Sequence, residues 1–120
     1  MHQYSFEKLE VWKEATKLAV KTHKITKEFP SEEKFGLIPQ MRRCSVSIAS
    51  NIAEGTARLT NKDKARFMTM AYSSALELLN QAIISKELEF ISEENYKNIR
   101  FEVESLTNKI NALRKHFLKS

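Results

Sequence analysis

Between residues 96 and 117 the apolar side chains fall at Tyr96, Ile99, Val103, Leu106, Ile110, Leu113 and Phe117, in alternating steps of three and four. Only a helix brings that spacing onto one face, and a seam sustained over three heptads needs partner helices to cover it. Three earlier segments carry comparable seams. Residues 6–28 repeat Val11, Ala15, Leu18, Thr22 and Ile25, with Phe29 continuing the seam just beyond, widened by Leu9, Trp12 and Ala19. Residues 39–54 repeat Met41, Ser45, Ile48 and Ile52, flanked by Cys44 and Ala49. The segment that ends near residue 87 repeats Met68, Ala71, Ala75, Leu78 and Ala82. Four such seams in 120 residues predict a single all-α domain over residues 1–120, an antiparallel up-down-up-down four-helix bundle. With only two Gly and two Pro, the chain has little material for hairpins, which argues against a β-sandwich or barrel.

The boundaries are marked by residue type. Ser5 is the expected cap of the first helix, and Pro30 ends it by pushing residue 29 out of the helical region. Residues 30–38 form a connector with about one helical turn, broken at Gly36, and Pro39 opens the second helix. Gly55 is the expected stop of that helix. Thr60-Asn61-Lys62-Asp63 has the form of a capping box with Asp in place of Glu or Gln. Ser92 caps the last helix, with Ile91 and Tyr96 at the staple positions.

Three features go beyond the seams. The third helix has a second apolar stripe, Tyr72, Leu76, Leu79 and Ile83, which is either a wide buried face or an oligomer interface; Phe101, off its own seam, points to the interface. A polar line on the second helix, Arg43, Ser47, Asn51 and Glu54, can face Arg66, Ser73 or Ser74, and Glu77 on the third. If those helices pair antiparallel, Arg43 meets Glu77, Ser47 meets Ser73 or Ser74, and Glu54 meets Arg66. This is a polar ladder that sets register rather than a catalytic site. Charge also separates along the axis. Arg58, Lys62, Lys64 and Arg66 against Asp63 leave +3, and Lys109, Arg114, Lys115 and Lys119 add +4 at the same end, offset by −1 from residues 1–10. The opposite end is neutral over residues 24–34 and −3 over residues 86–94. A lysine line, Lys13, Lys17, Lys21 and Lys24, flanks the first helix. A basic end with a basic flank suits a phosphate backbone, although lysines are also ordinary solvated helix formers. Arg58, Lys62, Lys64, Arg114 and Lys115 are the expected nucleic-acid contacts.

Reaction chemistry is missing from the pattern. His2, His23 and His116 are scattered, no Glu-x-x-His or Cys-x-x-Cys occurs, and no Gly-rich loop is present. No enzyme, metal or cofactor is therefore expected. The one cysteine, no leader-like N-terminus and no long apolar run lead to the expectation of a cytoplasmic protein with no membrane partner.

Phe29-Pro30, Glu33-x-Phe35-Gly36-Leu37, Gln40-Met41-Arg42-Arg43, Ser47-Ile48 and Asn51-Ile52-Ala53-Glu54-Gly55 resemble the four-helix-bundle proteins of the 23S rRNA intervening-sequence family, at times labelled ribosomal proteins. The resemblance extends to Leu9-x-Val11-Trp12, Phe67 and Ala71-x-x-Ser74-x-x-Glu77; Cys44 stands where Ala is usual and Pro39 where Ser or Thr is commoner. It implies a bacterial, non-enzymatic bundle of poorly defined role that assembles into a ring, typically a homopentamer. The family is similar to accessory proteins of diversity-generating retroelements, which bind nucleic acid and a reverse transcriptase. RNA and a protein of that kind are thus implied partners. The alternative is a structural or adaptor module that binds no nucleic acid.

Overall fold

Each of the four seams coils into a helix. The computed structural model describes residues 1–119, with α1 at Glu10–Thr26, α2 at Leu37–Thr56, α3 at Asn61–Glu87 and α4 at Glu93–Lys119. Short 3₁₀ turns at Ser5–Lys8 and Ser31–Glu33 precede α1 and α2. Consecutive helices pack as antiparallel neighbours and α4 returns beside α1, closing an up-down-up-down bundle 46 Å long. The core is the sum of the seams. Leu18, Met41, Ile48, Ile52, Met68, Leu78, Ile99 and Ile110 are fully enclosed, with Leu113 and Phe117 partly buried at the last turns of α4. Buried hydroxyls bond back into their own helices: Thr22 Oγ1 donates to the Leu18 carbonyl at 2.8 Å and Ser85 Oγ to that of Gln81 at 2.8 Å. They add no polar chemistry to the core.

Three expected boundaries move, each for a packing reason. Ser5 does not cap α1. Residues 5–8 form the 3₁₀ turn, held by the Tyr4 N–H donating to Glu7 Oε2 at 2.8 Å, and Leu9 is extended before α1 begins. That bend sets Phe6 edge-on against Trp12, with ring centroids 5.1 Å apart. Pro39 is not the first residue of α2, which starts two residues earlier. Glu33 Oε1 accepts the Leu37 N–H at 3.1 Å, and a Cβ on Gly36 would stand 2.6 Å from that oxygen. Pro39 still lies in the first turn, where its missing N–H costs nothing.

Gly55 is not a stop. α2 runs through it to Thr56, and Gly55 is buried. A Cβ there would meet Phe67 Cβ at 2.8 Å and Met68 Cε at 2.6 Å. The glycine is needed for close approach of α2 and α3. The caps behave as expected: Thr60 Oγ1 accepts the Asp63 N–H at 3.1 Å and Ser92 Oγ that of Asn95 at 3.0 Å.

Candidate nucleic-acid interface

The α2–α3 turn and the last turns of α4 meet at one end of the bundle. Lys62, Arg66 and Arg114 line a common groove of about 540 Å³, with Thr60, Thr69 and Leu118 between them. Two aromatic rings hold the neighbouring cations. The guanidinium carbons of Arg58 and Arg66 lie 4.9 and 4.8 Å from the centre of the Phe67 ring, and Lys64 Nζ lies 5.6 Å from that of Phe117. A guanidinium stacked on a ring face can still meet a carboxylate or phosphate along its N–H edge, and at Arg66 that edge already meets Asp63. Asp63 is the one carboxylate lining this groove, and it bonds Arg66 Nε at 2.8 Å. Of the five expected contacts, Lys62 and Arg114 share the groove, Arg58 and Lys64 flank it on their rings, and Lys115 is exposed on α4.

The sequence counts Arg66 in the charge of this end but expects its side chain in the polar ladder, and neither ring seat is legible in it. The ladder forms only at its centre. The Ser47 and Ser74 hydroxyls are 2.9 Å apart, and Asn51 Nδ2 donates to Ser47 Oγ at 3.1 Å. The charged ends do not form. Arg43 donates to Gln40 within its own helix, Arg66 is taken by Asp63, and Glu54 is exposed. Local partners three residues away win because they need no side chain to reach across the helix gap. Glu77 instead accepts from Cys44 Sγ at 2.8 Å. Burial, and then the bond to Glu77 and its charge, push the Cys44 thiol up to about 11.

The lysine line is partly neutralised. Lys21 Nζ pairs with Glu102 across the α1–α4 seam at 3.3 Å, and Lys13 with Glu10 at 3.6 Å. The second α3 stripe divides. Tyr72 and Leu79 pack against the core, whereas Leu76 and Ile83 remain 45% and 36% exposed. Phe101 is 72% exposed. Among the described residues no group of three or more His, Cys, Asp or Glu is placed to hold a metal ion, and no helix is long and apolar enough to cross a membrane.

A four-helix bundle with a ring-seated cation cluster at one end is the class of protein these features define. The chain belongs to the 23S rRNA-intervening sequence protein family, whose model matches residues 7–112. Its fold is similar to the crystal structure of a protein of unknown function from the S23 ribosomal protein family of Bacteroides thetaiotaomicron. The TM-score is 0.81 at 23% identity, covering 88% of this chain and 98% of that one. No curated protein matches the chain.

Proposed function

We propose that this protein is a non-enzymatic, cytoplasmic bundle that self-associates and binds RNA through its basic end. One observation carries the reading: Arg58, Lys62, Lys64, Arg66 and Arg114 gather where the α2–α3 turn meets the end of α4, and Asp63 is the one carboxylate that lines their groove. The cations come from separate parts of the chain, and such a concentration without matching carboxylates favours a polyanion. The family name, which refers to a segment within ribosomal RNA, agrees with this choice of polyanion. Side-by-side assembly through Leu76 and Ile83, as a pentamer by family resemblance, repeats the basic end on one rim and multiplies its field.

A gel-shift titration with structured RNA tests the reading. Binding is expected at about 50 mM salt and is expected to weaken steeply by about 200 mM as phosphate contacts release counterions. Replacing Arg58, Lys62, Lys64, Arg114 and Lys115 by Ala should abolish the shift and leave the oligomer intact. Unchanged binding in that variant, or none in the wild type at the lower salt, refutes it. The exposure of Leu76 and Ile83 then favours the second reading, an adaptor whose partner is a protein, such as a reverse transcriptase.

A further inference from the structure

The end opposite the basic cluster carries two adjoining surfaces of opposite charge. The first is a groove of about 630 Å³ between the end of α1 and the start of α2. Phe29, Ile38 and Pro39 give it an apolar lining; Lys27, Lys34 and Arg42 line it too, and no carboxylate does. Arg42 is fixed in place, with Nε donating to Thr26 Oγ1 at 2.9 Å and Nη2 to the His23 carbonyl at 3.3 Å. Lys27 and Lys34 form no ion pair among the described residues.

The second surface is the α3–α4 turn. Glu87, Leu88 and Glu89 are all exposed there, Leu88 by 50%. Neither carboxylate is paired among the described residues, because the adjacent Lys86 is taken by Glu93 at 3.4 Å. Glu89 has φ 61°, a left-handed conformation in which glycine is the usual residue. The chain thus keeps a carboxylate at a position where the backbone favours none.

The two surfaces are side by side. Phe29 of the groove lining packs on Phe90 of the turn, with ring centroids 6.0 Å apart. That packing holds the turn beside its own groove and out of it. A cationic hollow next to an acidic, leucine-tipped projection is self-complementary under a two-fold rotation. We infer that the protein associates end to end with a second copy of itself through this surface. The turn of each copy enters the groove of the other, with Leu88 on the apolar lining and Glu87 and Glu89 against Lys27 and Lys34. The basic ends then face outward in opposite directions. The contact is independent of side-by-side assembly through α3 and doubles whatever species that assembly makes.

Charge reversal on each half provides the test. Lys27→Glu with Lys34→Glu makes both halves acidic, and Glu87→Lys with Glu89→Lys makes both basic. Arg42 is left alone because its bonds are structural. In sedimentation or light scattering at about 50 mM salt, where screening is weaker than at physiological strength, each variant should show half the mass of the wild type. An equimolar mixture should return to the full mass, since each reversed half then meets its opposite. The milder pair Glu87→Gln with Glu89→Gly relieves the strained backbone at residue 89, so misfolding does not explain a loss; it too should halve the mass. A reversed variant that keeps the wild-type mass, or a mixture that stays at half mass, overturns the inference.

Discussion

Cys44 shows how far a residue's chemistry depends on its neighbours. In sequence it is a small apolar residue beside a seam; in the bundle its thiol donates to Glu77 and is almost completely covered. With its ionisation pushed up to about 11, the folded state holds the proton more tightly than an unfolded thiol of ordinary pKa 9.0. The stability this provides is present in full below pH 9 and is lost as pH rises towards 11. Two outcomes are expected. Thermal unfolding should shift to lower temperature across that window, and the shift should shrink in Cys44→Ser. At pH 8, Cys44 should resist alkylation in the native protein and react on denaturation, because the thiolate is the nucleophile. Gly55 makes the same point with sterics. Ala should gain roughly 1 kcal/mol of helix propensity. It also places a methyl group 2.8 Å from Phe67 Cβ, which cannot swing away as the Met68 methyl can. Overpacking of this kind costs about 1–3 kcal/mol. Gly55→Ala should therefore be destabilising in denaturant unfolding, against its propensity.

Element ends were legible wherever a side chain caps its own helix. The Thr60 and Ser92 caps form bonds within three residues, a distance sequence spacing resolves. Thr60→Ala and Ser92→Ala should each cost about 1 kcal/mol, measured as a lower denaturant midpoint at unchanged slope. Ends decided by another element were not legible. The extended Leu9 follows from the docking of Phe6 on Trp12, and the continuation of α2 through Gly55 follows from the approach of α3. The polar ladder divides by the same rule. Its short serines bond across the α2–α3 gap because they lie on the facing surfaces, while the long arginines satisfy themselves locally.

For the whole molecule, the proposed assembly has the largest consequence. Light scattering after gel filtration should report several protomers, and Leu76→Glu with Ile83→Glu should reduce that number without unfolding the bundle, because both side chains are already partly in solvent. A monomer at micromolar concentration in the wild type would remove the side-by-side contact. The bundle itself was determined by the sequence alone. Its signal is a period repeated on four segments, and burial of apolar surface rewards any arrangement that covers all four stripes at once. The site was only partly determined that way. Composition along the axis located the basic end, because antiparallel order brings residues near 60 and near 115 together. Which cations rest on Phe67 and Phe117, which arginines turn back to local carboxylates, and that a cationic groove adjoins the Glu87–Glu89 turn were decided only by the tertiary structure. Some of these contacts, such as Lys64 on Phe117 and Phe29 on Phe90, join residues far apart in the chain, and others, such as Arg66 with Asp63, join near neighbours; all depend on rotamers and distances of a few ångströms to which a helical period is blind.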